Sequence, residues 1–289
     1  MATLRVGSHK IETSSEDKVL FPESGITKGD LLAYYRRIGP VLLPHVRQRP
    51  LTLHRFPDGL GGKSFFQQRV PAYFPDWIDR VVVEKADGTL AHPVANNTAT
   101  LVYLANQSTI TLHAWLSRAD APRQPDQLVF DLDPSGSDFA RVCEAARLVR
   151  AALDDAGHVP FVMTTGSTGL HVRAPLRRGP DFDAVRAFVR GMADRLARRH
   201  PALLTTEQRK AKRRGRVFLD TLRNAYGQTA VAPYSVRARE GAPVAAPLSW
   251  DELDAPDLTP HRYTIRNVFR RLGQKDDPWA EMHRHARPL

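Results

Sequence analysis

The sequence predicts an α+β fold, and three observations carry that prediction. Short β-like runs punctuated by Gly, Pro and Asn fill the stretch from Pro50 to Trp115. Two segments further on repeat apolar residues at spacings of three and four, the mark of amphipathic helices. The strands around those helices are mixed with them and do not alternate strictly, which favours α+β over a parallel α/β arrangement.

Taken in order, the residues through Ser15 are polar and read as partly extended. Thr27 with Asp30 three residues later resembles an N-terminal cap for a helix carrying Leu31, Leu32, Tyr35 and Ile38. Pro40 and Pro44 are expected to break or bend that helix. Strands are expected at Leu51–Arg55, Arg80–Val83, Leu101–Leu104 and Thr109–Leu112. Ala119–Asp126 is a polar, proline-bearing connector, so approximate lobes at 1–118 and 119–289 of a single catalytic domain are expected. Gln127–Asp133 reads as a strand. Ser137 is expected to cap a helix with Phe139, Val142, Cys143, Ala146, Val149 and Leu153 on its inner stripe. Cys143 on that stripe reads as core. Phe161–Thr165 and Leu170–Pro175 read as paired strands around a Gly-Ser-Thr-Gly turn. A second helix carries Phe182, Val185, Val189, Met192 and Leu196 and ends before Pro201. Arg216–Leu222 reads as a strand, Trp250–Leu253 as the start of a helical segment. Ile265, Val268, Phe269 and Leu272 form a last short helix.

The charge balance narrows the partner. Forty-two Lys and Arg against 31 Asp and Glu leave +11 in 289 residues, a field that favours polyanions. No apolar stretch has spanning length and Met1–Lys10 lacks a signal-peptide pattern, so a cytoplasmic protein acting on nucleic acid is expected, with no membrane partner. A single cysteine excludes an intramolecular disulfide and any cysteine-based zinc cluster.

The chemistry is expected at Val129-Phe130-Asp131-Leu132-Asp133-Pro134. Alternate residues of a strand share a face, so Asp131 and Asp133 project together while Phe130 and Leu132 project oppositely. Two carboxylates so close repel each other unless cations lie between them, and carboxylate oxygens suit Mg²⁺ or Mn²⁺. Alone, the pair reads equally well as a solvated strand end. Asp220, closing the apolar run Val217-Phe218-Leu219, adds a third carboxylate, and three can hold two ions. In Thr164-Thr165-Gly166-Ser167-Thr168-Gly169-Leu170-His171 the glycines allow backbone N–H groups to approach an anion, and His171 can donate to a phosphate oxygen. The turn lacks the lysine of a Walker A loop, which excludes that ATPase class. Six basic residues without an acid, Arg209 to Arg216 and including Arg213, precede the strand of Asp220. Such a run is commonly a solvated face, but its position favours contact with a phosphate-bearing substrate. Arg237 in Ala232-Pro233-Tyr234-Ser235-Val236-Arg237 is a further phosphate contact. Lys63, Phe65 and Phe66 offer cation and rings for base stacking, although strand alternation alone would bury one ring.

In this order and spacing, Asp131-Leu-Asp133-Pro, Gly-Ser-Thr-Gly-Leu-His171 and Phe-Leu-Asp220 resemble the archaeo-eukaryotic primase superfamily. More closely they resemble the polymerase domain of bacterial ligase D, which acts in non-homologous end joining. Asp17-Lys18-Val-Leu-Phe-Pro, Arg55-Phe-Pro-Asp-Gly, Lys63-Ser-Phe-Phe-Gln, Leu112-His113-Ala-Trp115 and Ala-Pro-Tyr-Ser-Val-Arg237 extend the likeness from about Asp17 to Lys275. The resemblance implies a primase-polymerase-like fold, with mixed and antiparallel sheets flanked by helices and two lobes around a cleft. It implies two catalytic metal ions, Mn²⁺ or Mg²⁺, on Asp131, Asp133 and Asp220. It places Ser167, His171, His113 and Arg237 at the nucleotide triphosphate and Lys18 and Lys28 at a 5′-phosphate across a gap. Phe65 and Phe66 match rings near the template. Thr168 departs from the pattern, standing where family members often carry a basic residue. The chain holds no ligase or nuclease module, as in a stand-alone relative or an excised domain.

The function expected is template-directed transfer of NTP or dNTP nucleotides to a primer 3′-OH on gapped or broken duplex DNA with a 5′-phosphate. Ribonucleotides are expected to be accepted, in a nucleoid-associated bacterial repair role alongside a Ku-like end-binding protein and a ligase. The alternatives are a de novo primase, a metal nuclease, and a catalytically inactive adaptor that binds DNA ends.

Overall fold

The computed structural model describes residues 2–85 and 88–289, which form two compact units. One takes the chain through Asp120 and then Thr229–Ala245 and Tyr263–Arg271. The other takes Ala121–Gln228, Ala246–Arg262 and Leu272–Leu289. The chain thus changes unit within the Ala119–Asp126 connector, but it also returns twice.

In the first unit the helix Lys28–Val46 starts at a capping box. The Thr27 side chain accepts from the Asp30 N–H, and the Asp30 carboxylate accepts from the Thr27 N–H at 2.9 Å. The helix runs through Pro40 and Pro44 without ending, so of the expected break or bend the break does not occur. Each proline costs about 3 kcal/mol in a helix interior. Leu42, Leu43 and Val46 beyond Pro40 are all buried, and each such burial returns roughly 1.5–3 kcal/mol, so continuation wins. Leu101–Leu104 is likewise not a strand: it lies in the helix Thr98–Asn106, whose Asn97 caps the Thr100 N–H. Leu101, Val102, Leu104 and Ala105 are buried together, a pattern that periodicity cannot distinguish from a core strand. At Gly39 a side chain would strike Thr98, so the two helices meet where no Cβ intervenes.

Beside these helices lies a four-stranded antiparallel sheet, ordered Thr229–Val231, Thr109–Trp115, Leu51–Arg55, Phe65–Gln67. The hydroxyl of Tyr35 ties the first helix to this sheet, donating to the Ile110 carbonyl at 2.7 Å. The opening residues form the ribbon Ala2–Val6 with His9–Thr13, and Arg80–Lys85 pairs with Gly88–Pro93, a strand not expected from sequence.

The second unit is built on a six-stranded sheet, ordered Leu204–Thr205, Val217–Asp220, Gln127–Asp133, Leu170–Pro175, Phe161–Thr164, Pro247–Leu248. All neighbours are antiparallel except the first pair. The helices Phe139–Asp155 and Phe182–Arg199 pack on it through the expected stripes, with Cys143 buried. Asp138, not Ser137, caps the first of them by accepting from the Ala140 N–H. The Arg216–Leu222 strand is shorter than expected, because the chain turns after Asp220 into a 3-10 segment, Leu222–Asn224. Trp250–Asp254 is also 3-10, and Val268–Leu272 is a single helical turn.

Candidate active site

The sheet register gathers the acids. Asp131 lies directly opposite His171 on one neighbouring strand and opposite Asp220 on the other. Residues opposite each other across a sheet present side chains on the same face, so His171, Asp131 and Asp220 form one row. Asp133, two residues along, lies on that face beside Phe218. Oxygens of Asp131, Asp133 and Asp220 lie within 4.8 Å of one another. Phe130, Leu132 and Leu219 line the opposite, fully buried face. That apolar backing keeps the strands in register, because a one-residue slip would turn the carboxylates into the apolar face.

Burial alone drives Asp131 towards its neutral form, but His171 and Arg223 outweigh it and hold the carboxyl well below the usual range. Arg223 Nε stands 3.4 Å from Asp131 Oδ2. His171 Nδ1 lies 3.2 Å from the Arg173 guanidinium, which can only donate. His171 therefore carries its proton on Nε2, 3.4 Å from Asp131 Oδ1. Burial lowers the pKa of the imidazole, against the opposing pull of Asp131. Asp133 behaves oppositely: burial, then Asp131 and Asp220, push it up to about 6. Burial also raises Asp220, although its carboxylate accepts from the Leu222 N–H at 2.8 Å.

These residues fit divalent cations. Three buried or half-buried carboxylates converge, and burial together with mutual repulsion pushes the pKa of one of them up to about 6. Arg223 takes one oxygen of Asp131, whereas the Asp133 carboxylate makes no hydrogen bond or ion pair among the described residues.

The Gly-Ser-Thr-Gly turn is organised by Thr165. Its hydroxyl accepts from the Ser167 and Gly169 N–H groups at 3.3 and 3.2 Å and donates to the Gly169 carbonyl at 3.1 Å. Two of the amides expected to face an anion are thus turned inward. The half-buried Ser167 and the exposed Thr168 remain as the turn's hydroxyl donors. Gly166 has φ +62°, and a side chain at Gly169 would run into the Leu132 carbonyl. The turn therefore seats directly on the strand that carries Asp131 and Asp133.

Arg213 lies beside the same carboxylates, and its charge lowers the pKa of both Asp133 and Asp220. Its guanidinium lies 4.0 Å over Phe218 and donates to the Glu207 and Gln208 carbonyls. Sequence reading missed Arg223, Thr165 and Asn224. The fully buried Asn224 accepts from the Val129 N–H and donates to the Val129 and Thr221 carbonyls, at 2.7–2.9 Å. Only the position of Arg223 three residues after Asp220 could have signalled it.

His113, Arg237, Lys18, Lys28, Lys63, Phe65 and Phe66 belong to the first unit. Phe66 is 62% exposed and Phe65 is exposed as well, so alternation buries neither ring. His54 stacks on Phe66 at 4.1 Å between centroids, and His113 meets the same ring edge-on at 5.8 Å. Arg237 is close enough to lower the His54 pKa, after burial. Arg55 lies 5.4 Å over Phe65. Lys63 is exposed. Lys28 is only 4% exposed, and its Nζ donates to the Ser14 carbonyl at 2.7 Å. Burial and then the charge of nearby Lys18 lower its pKa. Lys18 itself pairs with Asp58 at 2.9 Å.

Residues 27–279 match the family described as LigD, primase-polymerase domain. The multifunctional non-homologous end joining DNA repair protein LigD of Mycobacterium tuberculosis is 35% identical over 277 residues, covering 93% of this chain and 36% of that protein. The bifunctional non-homologous end joining protein LigD of Bacillus subtilis is 32% identical over 280 residues, covering 96% and 44%. The chain thus spans less than half the length of these relatives. Among solved structures, the polymerase domain of M. tuberculosis ligase D in complex with DNA matches with a TM-score of 0.90 and 33% identity, over 96% of this chain and 99% of that one.

Proposed function

The chain belongs to the LigD primase-polymerase domain family, a family of nucleotidyltransferases, and from that premise we propose that it extends a primer 3′-OH on gapped or broken DNA. The observation that carries the proposal is the convergence of Asp131, Asp133 and Asp220 within 4.8 Å on one face of a sheet. Mn²⁺ or Mg²⁺ held by these carboxylates would, when bound, activate the attacking oxygen and neutralise the leaving group. Asp131 is kept anionic by His171 and Arg223, so it is ready to receive a cation at any working pH. Asp133 must first lose its proton. Ser167, on a turn seated against the Leu132 carbonyl, offers its hydroxyl to the triphosphate, and His171, whose Nε2 faces Asp131, lies beside it in the same row.

The first unit supplies the polymer contacts in this reading. Lys18 and Lys28 receive the 5′-phosphate, and the exposed rings of Phe65 and Phe66 stack on template bases beside Lys63. His113 and Arg237, joined to that cluster through Phe66 and His54, serve the nucleotide. No helix among the described residues is long and apolar enough to cross a membrane, and the net charge of +11 favours DNA. Acceptance of ribonucleotides, support by Mn²⁺ and cooperation with a Ku-like protein and a ligase near the bacterial nucleoid belong to the same reading. The intact set of three aspartates disfavours an inactive end-binding adaptor.

The test is a one-nucleotide gap-filling assay, with and without the 5′-phosphate and with ribo- or deoxynucleotides. Extension enhanced by the 5′-phosphate, and reduced to the unphosphorylated level by Lys18→Ala, is expected. Equal extension on both substrates would remove Lys18 and Lys28 from their role.

A further inference from the structure

Arg223 presents a conflict that the catalytic reading must resolve. Its Nε takes the Asp131 oxygen, Oδ2, that faces away from His171, and its charge also acts on Asp133 and Asp220. A cation arriving at the three carboxylates therefore meets a guanidinium already serving them. The attachments of Arg223 differ sharply along its length. Its backbone is fixed, because the neighbouring Asn224 is fully buried and bonded to both the N–H and the carbonyl of Val129. Its head is held by a single 3.4 Å contact, and the side chain is 40% exposed. The other arginine beside Asp133 and Asp220 cannot play the same part. Arg213 donates through Nε and Nη2 to loop carbonyls and lies on Phe218. The Gly166–Gly169 turn contains no basic residue. A triphosphate entering here thus meets in Arg223 a loosely held, forked cation already beside the carboxylates, and a guanidinium matches phosphate oxygens in pairs.

We propose that Arg223 is a displaceable counter-cation: it neutralises Asp131 until divalent ions arrive, then turns to the polyphosphate of the incoming nucleotide. The inference rests on the nucleotidyltransferase reading of the site and deepens it. It makes metal and nucleotide binding cooperative through one side chain, since releasing Arg223 from Asp131 prepares it for phosphate.

The test uses the full chain and two probes, Mn²⁺ alone and a non-hydrolysable nucleoside triphosphate. Arg223→Gln retains length and polarity without charge; Arg223→Lys retains charge without the fork. Arg223→Gln is expected to bind Mn²⁺ alone about 5- to 10-fold more tightly than the parent, read from the paramagnetic resonance of free ion, because the competing cation has gone. At saturating Mn²⁺ it is expected to bind the triphosphate at least about tenfold more weakly. Arg223→Lys should return Mn²⁺ affinity to the parent value and recover part of the triphosphate affinity. Unchanged or weaker Mn²⁺ binding in an Arg223→Gln protein that melts like the parent overturns the proposal, as does unchanged triphosphate affinity. Should Arg223→Gln not fold, Arg223→Lys decides: parent-like Mn²⁺ binding with weakened triphosphate binding supports the proposal, and parent-like binding of both overturns it. Failure of the polymerase reading shows separately, as absence of primer extension by the parent, and leaves both binding measurements readable.

Discussion

Asp133 keeps its proton to about pH 6 because burial and two neighbouring carboxylates disfavour its charge. A cation must displace that proton, so Mn²⁺ affinity should fall by about tenfold per pH unit below this value, measurable by titration calorimetry from neutral to acid pH. The stability sign follows from linkage. An aspartate in the unfolded chain ionises near about pH 4, so this group's contribution is complete below that pH and is lost as pH rises to about 6. Asp133→Asn should therefore raise the melting temperature of the protein without added metal near neutral pH, by about 2–4 °C per kcal/mol recovered, and do little near pH 4. At the first unit, Phe66→Ala should weaken single-stranded template binding by about 1–3 kcal/mol. It should leave the denaturation midpoint nearly unchanged, because the ring is 62% exposed. Asp131 and Asp133 were legible as a pair because strand alternation assigns faces without tertiary knowledge, and Asp220 because it closes a separate apolar run. Arg223 was not, because its contact with Asp131 spans 92 residues and only the sheet register creates it.

Elements place these residues, and two contacts carry most of that placement. Gly169 lets the Gly166–Gly169 turn close on the Leu132 carbonyl. Gly169→Ala should force the turn away, costing at least about 2 kcal/mol of stability and weakening triphosphate binding, read from urea denaturation and equilibrium binding. The strands Leu51–Arg55, Gln127–Asp133 and Leu170–Pro175 were expected with the bounds observed, since apolar runs between Gly, Pro and charged residues define them locally. Leu101–Leu104 misled because a helix buried on nearly all sides has lost the polar stripe that identifies it. The prolines of the Lys28–Val46 helix misled for a related reason: local propensity opposed the helix, and burial of its later turns prevailed.

At the scale of the whole molecule, the unit that holds the carboxylates and the unit that holds the exposed rings are each assembled from three separate segments. The change of unit after Asp120 falls within the polar, proline-bearing stretch Ala119–Asp126. The later returns at Thr229 and Tyr263 leave no such compositional trace. The net charge of +11 makes DNA affinity a matter of counterion release. Binding of gapped duplex should weaken steeply with salt, and Lys63→Ala should make the logarithmic slope shallower by about 1. The central claim is that Asp131, Asp133 and Asp220 together drive nucleotidyl transfer. It is tested most directly by following pyrophosphate release and primer lengthening in one reaction with Mn²⁺, nucleoside triphosphate and a primed template. The parent should release one pyrophosphate for each nucleotide added, and Asp131→Asn and Asp220→Asn should each lose at least about 10²-fold in rate while remaining folded. Undiminished extension by either variant, or mononucleotides released from a shortening primer, would contradict the account.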